Sequence, residues 1–308
     1  MKTLLVGYRA ADLSKELLAG DVTCHTLDIY HRHAIEKVWH AKAICSAHLP
    51  EASWDLIRFR TGPKIHSGEL ALDLLQEINL LQKKTGCKVE VDFEGRERDR
   101  NDLLNKIKDD PDRVRDFSAK WFASVPGGPK LEFTSVPGCF CHRRLDEGGL
   151  ALAEVVARDL AASSSSRLLD MGCGCGLVGF LVKSTRPEVS LVLVDSHSRA
   201  IEAAELNAKA FGIEAEVMLS DNGTPARMDG SFDVFVGNPP YYSDYRIADV
   251  FLETAKRALK PGGICYTVCK NAAGLEPVQK RYFPEVEILA RRGYAVLKSK
   301  KEETKGEK

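Results

Sequence analysis

The segment Asn238-Pro239-Pro240-Tyr241 closes an apolar run, Phe232-Asp233-Val234-Phe235-Val236-Gly237, that has the composition of a core strand. Two consecutive prolines donate no backbone N–H and cannot continue a sheet ladder, so the strand must stop there. At its end stand a rigid backbone, one amide side chain and one aromatic ring. A second group lies upstream. The run Arg167-Leu168-Leu169 feeds Asp170 and Met171, and glycines follow at Gly172, Gly174 and Gly176. Glycines let such a loop turn sharply and let a ligand touch its backbone. The spacing is G-x-G-x-G, not the G-x-G-x-x-G of dinucleotide-binding folds, and no G-K-[ST] follows, which argues against a phosphate-binding P-loop.

The acids near this loop extend the pattern. Asp195 ends the next apolar run, roughly 20 residues on, where a carboxylate can accept two hydrogen bonds from ribose hydroxyls. Asp221 ends the third run, after Ser220, where a side chain can reach an adenine amine. Asp170, ahead of the glycines, can help hold the amino acid part of a ligand. Alone, the glycine triplet is a turn and each aspartate a cap. Together they fall at the carboxyl ends of successive strands, where open α/β sheets bind ligands.

The elements that must position these residues are legible in the second half. Ser190–Asp195 is a buried strand. Ser198–Gly212 is a helix, capped by Ser198 and stopped by Gly212. "AEVMLSD" and "FDVFVG" are strands, Ile247–Leu259 is an amphipathic helix ended by "KPGG", and "ICYTVC" is a further strand. "VEILARRGYAVLKSK" is a two-stranded hairpin with Gly293 in its turn. Alternating strands and helices predict a parallel α/β sheet covered on both faces, with the hairpin as an antiparallel edge.

The first half repeats the plan faintly. "KTLLVGYRA" resembles "SRLLDMGCG", "TLDIYHRHAIEKV" resembles "LVDSHSRAIEAA", and "WDLIRFRTGP" resembles "FDVFVGNPP", in the same order. Three matches in register predict an internal duplication. The glycine triplet is missing at Gly7, and Arg60-Thr61-Gly62-Pro63 stands where the second copy has Asn238-Pro239-Pro240-Tyr241. The first copy therefore keeps a similar fold without the site. The expected division is residues 1–125, 126–298 and a disordered, charged tail at 299–308. "NKIKDDPDRVRDF" and Val125–Lys130 are expected to lie in the linker region, the charged run as a solvated helix.

The totals exclude several classes. The chain has 308 residues, and 44 basic residues balance 44 acidic ones, which argues against non-specific coating of nucleic acid. No run of about 18 apolar residues is present, so no membrane-spanning helix is expected. Leu4-Leu5-Val6 is too short for a signal-peptide core, and a cytoplasmic location is expected. The nine cysteines form no C-x-x-C pair, which predicts reduced thiols rather than a metal site.

Asp170 through Gly176, then Asp195, then Asn238-Pro239-Pro240-Tyr241, resembles the class I S-adenosylmethionine-dependent methyltransferases of the "methyltransferase small" type. The resemblance implies a Rossmann-like seven-stranded sheet, with Gly172, Gly174 and Gly176 at the cofactor S-adenosylmethionine. It places the chain among enzymes that methylate a planar, conjugated nitrogen. It implies that the Asn238 side-chain oxygen and the Pro239 carbonyl accept hydrogen bonds from the target amine, that Pro240 helps fix the carbonyl direction, and that Tyr241 stacks on the target. No strong base or metal is then required.

Val136–Leu160 resembles the P-G-x-F…L-D-x-G segment of bacterial ribosomal RNA guanine-N2 methyltransferases, which also carry a degenerate N-terminal methyltransferase-like domain. This implies ribosomal RNA or a ribosomal subunit as partner, Phe140 beside the cofactor or target, and Asp146 and Gly149 lining the pocket. Arg143 and Arg144, with His142, are placed to meet phosphate, and Arg246 lies near the target side. A guanine within a helix must be unstacked to be reached. Tyr241 departs from that family, which usually has phenylalanine there. Two other readings stay open: a protein glutamine-N5 methyltransferase acting on release factors, whose family carries this tyrosine, and an inactive RNA-binding assembly factor. The intact motifs of the second half argue against the last.

Overall fold

The computed structural model describes residues 1–108, 114–160, 166–240 and 246–303. Residues group into two compact units. The first comprises Met1–Ala119 with Val136–His142 and Ser196–Arg199, and the second comprises Lys120–Ser135, Arg143–Asp195 and the chain from Ala200 onward.

The first unit contains strands β1 (Lys2–Val6), β2 (Asp21–Thr26), β3 (Ala43–Cys45), β4 (Leu56–Thr61) and β5 (Lys88–Phe93), with helices α1 (Ile29–Trp39), α2 (Gly68–Thr85) and α3 (Glu97–Lys108). The sheet has the order β3-β2-β1-β4-β5, and all its pairs are parallel. Such strands are buried on both faces, hence the continuous run Leu4-Leu5-Val6. Leu70, Leu74, Ile78 and Leu81 recur at helical spacing and seat α2 on Ile57 and Phe59.

The second unit contains β6 (Ala119–Ala123, from its second residue), β7 (Leu131–Ser135), α4 (Glu147–Asp159), β8 (Arg167–Met171), α5 (Leu177–Thr185), β9 (Ser190–Asp195) and α6 (Ser198–Phe211, from Ala200). It continues with β10 (Glu216–Leu219), β11 (Phe232–Gly237), α7 (Arg246–Ala258), β12 (Leu259–Cys269), α8 (Ala272–Lys280), β13 (Glu287–Arg291) and β14 (Tyr294–Lys300). Seven strands form one sheet of order β10-β9-β8-β11-β12-β14-β13. The first five are parallel, and β14 runs antiparallel to β12 and β13. Arg292 and Gly293, both at positive φ, make the two-residue turn of the terminal hairpin. The core is built on Phe232, Phe235, Leu252 and Phe283.

The expected seven-stranded α/β architecture is present, and the first unit has the same strand order as the five parallel strands of the second, β10-β9-β8-β11-β12. The three sequence matches fall on β1 and β8, on the ends of β2 and β9, and on β4 and β11. At the carboxyl end of the first sheet, the loop after β1 packs closely against the end of β4. A Cβ on Gly7 would collide with the Arg60 carbonyl and lie 2.8 Å from His66 Cε1. Arg60 itself is held by Asp92 at 2.6 Å and Glu94 at 2.7 Å.

Three expectations about segments need correction. Val125–Lys130 connects β6 to β7 rather than linking domains, and the Gly128 N–H closes its turn on the Val125 carbonyl at 2.9 Å. Pro and Gly signal a tight turn in either setting. The tail does not begin at Ser299: Ser299 pairs with Cys265 and Lys300 with Ile264 across β12. Ser299 is buried and accepts from Gln279 Nε2 at 2.9 Å, because the ladder, not the polar composition, decides its place. The "KPGG" segment lies within β12: Phe232 faces Leu259 and Val234 faces Ile264, so Lys260–Gly263 bulge between them.

Candidate active site

The parallel register gathers the motif residues at one end of the second sheet. Leu219 lies opposite Asp195, Val194 opposite Met171, and Gly237 opposite Met171. Asp195 and Asn238 therefore each stand one step beyond Met171, flanking the start of the glycine loop. The Gly172 and Cys173 N–H groups both donate to the Val194 carbonyl, at 2.7 and 3.0 Å, which bends the loop over the end of β9. Gly172, Gly174 and Gly176 all have positive φ, at 68°, 55° and 83°. The Gly174 N–H donates to Asp195 Oδ2 at 2.9 Å, so the loop and its acid are joined directly.

Asp170 is buried at the end of β8, with Oδ2 accepting from the Gly179 N–H of α5 at 2.9 Å. Burial pushes its carboxyl up to about 7, against that hydrogen bond, and the charges of Asp195 and Asp146 add to the rise. Three acids thus share one field. That is unfavourable for a vacant anionic site and favourable for a ligand carrying positive charge. Burial also holds the Cys173 thiol well above its ordinary range, so it is inert.

Asn238 follows the last residue of β11. Its Nδ2 donates to Asp146 Oδ2 at 2.8 Å, which directs the carbonyl end of the amide away from Asp146. Asp146 caps α4, and its Oδ1 accepts from the Gly148 N–H at 3.1 Å. Pro239 is buried and Pro240 half-buried. Asp221 lies two residues past β10, half-buried at the same sheet end. Phe140 is 66% exposed and groups with the first unit. Tyr241 lies outside the described residues, as do Tyr242 and Tyr245.

Two further residues hold the site. Phe251 of α7 packs beneath both motifs: a Cβ on Gly172 would lie 2.7 Å from its Cζ, and one on Gly237 would lie 2.8 Å from its Cδ1. Asn207 of α6 is fully buried, and its amide ties the Cys175 carbonyl of the glycine loop to both backbone groups of Thr134 in β7. Phe251 falls on an ordinary apolar stripe with Ala248, Leu252 and Ala255, so nothing in the sequence marks it. Asn207 carries a signal: it interrupts the buried stripe Ala200, Ala203, Ala204, and a buried amide needs partners. Among the described residues, no group of three or more His, Cys, Asp or Glu could hold a metal ion. No described helix is long and apolar enough to cross a membrane.

A seven-stranded sheet with this strand order, a glycine loop after β8 and an acid closing β9 define the class I methyltransferase fold. Residues 130–298 match the methyltransferase small domain, and the chain belongs to that family. Its curated relatives include the ribosomal RNA small subunit methyltransferase C of Hahella chejuensis, 37% identical over 43% of this chain and 38% of that protein. The protein of the same name from Pseudomonas aeruginosa is 32% identical over 52% of this chain and 48% of its own length. The chain thus spans less than half the length of these two relatives. Among solved structures, the T. thermophilus 16S rRNA N2 G1207 methyltransferase, in complex with AdoMet and guanosine, matches with a TM-score of 0.76. That match covers 98% of this chain and 88% of the other at 16% identity, and it shows the fold.

Proposed function

We propose that this chain is an S-adenosylmethionine-dependent N-methyltransferase acting on the exocyclic N2 amine of a guanine in ribosomal RNA. The observation that carries the reading is the Asn238 amide. Its N–H is given to Asp146, so its oxygen is the end offered to a ligand, beside the carbonyl of Pro239. Two acceptors side by side suit an NH2 group. The names of the relatives supply ribosomal RNA as the substrate class, and the T. thermophilus structure supplies the cofactor and the nucleoside.

The residues present fit that cofactor. Asp170, its carboxyl raised by burial and then by two neighbouring acids, suits an ammonium or sulfonium charge, and Asp195 suits ribose hydroxyls. Bound there, S-adenosylmethionine supplies a methyl group made electrophilic by its positive sulfur. The protein's part is placement. A guanine amine is a poor nucleophile because its lone pair is delocalised into the ring. Asn238 Oδ1 and the Pro239 carbonyl accept its two N–H groups and hold the nitrogen in line with the methyl carbon. The prolines keep that carbonyl from turning away.

The test is methyl transfer from tritiated cofactor to three acceptors: ribosomal RNA, assembled small subunits and release factor. Label recovered as N2-methylguanosine supports the reading. Label in release factor would establish the glutamine reading in its place.

A further inference from the structure

We infer that Asp146 is a positioning residue for methyl transfer: its carboxylate decides which end of the Asn238 amide faces the target amine. The inference rests on the reading of the site as an N-methyltransferase. The two ends of an asparagine amide have nearly the same shape and opposite hydrogen-bonding character. With its oxygen toward the target, Asn238 accepts an N–H. Turned over, it presents a donor to a donor.

Asp146 fixes the choice because a carboxylate accepts and does not donate. Its own orientation is set by α4. Oδ1 is held by the Gly148 N–H at 3.1 Å, which aims Oδ2 at Asn238 Nδ2, 2.8 Å away. Gly149 makes room for this arrangement, since a Cβ there would lie 2.6 Å from Oδ2. A helix cap alone would use one oxygen of Asp146, and here both are engaged, the second by a residue 92 positions away.

Three variants separate this role from capping and from charge. Asp146→Ser keeps a good cap but does not reach Asn238, so the amide is free to turn. Asp146→Asn also caps. With its oxygen on Gly148 its NH2 faces Asn238, which then turns its own NH2 toward the target. The expected kcat at saturating cofactor falls about tenfold in Asp146→Ser and about a hundredfold in Asp146→Asn, the scale of losing one aligned polar contact at a reacting group. Thermal unfolding stays close to the wild type in both. The exchange Asp146→Asn with Asn238→Asp restores an acceptor toward the amine and recovers most of the loss relative to Asp146→Asn. Equal kcat in Asp146→Ser and Asp146→Asn, or both within twofold of wild type, would overturn the inference.

A readout independent of activity accompanies these. The side-chain amide of Asn238, identified in 15N spectra by its loss in Asn238→Asp, exchanges its protons more slowly in the wild type than in Asp146→Ser. Equal exchange would show that Asp146 does not hold the amide. A wild-type protein that methylates no RNA would overturn the functional reading, and the exchange comparison would still decide on Asp146.

Discussion

Asn207 donates its side-chain N–H to the carbonyl of Cys175 at 3.0 Å, from the interior of α6 to the interior of the glycine loop. The same amide accepts from the Thr134 N–H at 2.8 Å and donates to the Thr134 carbonyl at 2.9 Å. Its polar groups are matched at a position with no solvent access, and the glycine loop is tethered to β7 through one side chain. Asn207→Leu keeps the branching of the side chain and strips three backbone groups of their partner. Unsatisfied buried groups cost about 1–3 kcal/mol each. The expected outcome is a loss of roughly 3 kcal/mol in urea unfolding, together with weaker cofactor binding by calorimetry.

Phe251 supports Gly172 and Gly237 at once, so a single ring sets the separation of the two motifs. Phe251→Ala leaves a cavity beneath both. Truncation of a buried phenylalanine costs about 3–5 kcal/mol, and stability should fall by that order. Phe251→Leu, which fills part of the space, should cost less and should retain a measurable share of turnover. The pair is compared by denaturant midpoint and by initial rate.

Asp170 makes the protein sensitive to pH near neutrality. Its folded-state pKa is raised to about 7 by burial and by neighbouring acids, so folding favours the protonated form. Its contribution to stability is complete below about pH 4 and is lost as pH rises through about 7. The cofactor-free protein should therefore melt several degrees lower at pH 8 than at pH 5.5, with the other acids and histidines corrected by an Asp170→Asn control. A cationic ligand favours the ionised form, so cofactor affinity should rise with pH up to about 7, by at most about tenfold per unit. Titration calorimetry in buffers of different ionisation enthalpy reads the released proton.

The sequence made the second sheet legible because its strands are short apolar runs closed by glycine, aspartate or proline, and because Gly212 closes α6; Ser198, expected as its cap, instead gives its hydroxyl to the Leu27 carbonyl. It made the shared strand order legible through β1, β2 and β4, whose sequences resemble those of β8, β9 and β11. Arg60, tied to Asp92 and Glu94, stands at the end of β4, where the sequence match to β11 places Asn238. Helix α8 was not legible. Gly274 and Pro277 break its propensity, and it is held instead by the Asn271 cap and by Gln279, which bonds Thr267 and Ser299 inside the core. The gathering of Asp170, Asp195 and Asn238 at one end of the sheet was legible from type and spacing, since residues that close successive parallel strands fall at one end. Asp146 was placed in the pocket by resemblance, and its hydrogen bond to Asn238 is a long-range contact that no local pattern encodes.

The central claim is that Asn238 places a guanine amine for methylation. Its most direct test is nucleoside mass spectrometry of ribosomal RNA incubated with cofactor and either wild-type protein or Asn238→Ala, with cofactor affinity measured in parallel. The account predicts N2-methylguanosine from the wild type, a loss of about a hundredfold or more in Asn238→Ala, and cofactor affinity within about threefold between the two. N2-methylguanosine formed at the wild-type rate by Asn238→Ala would contradict it.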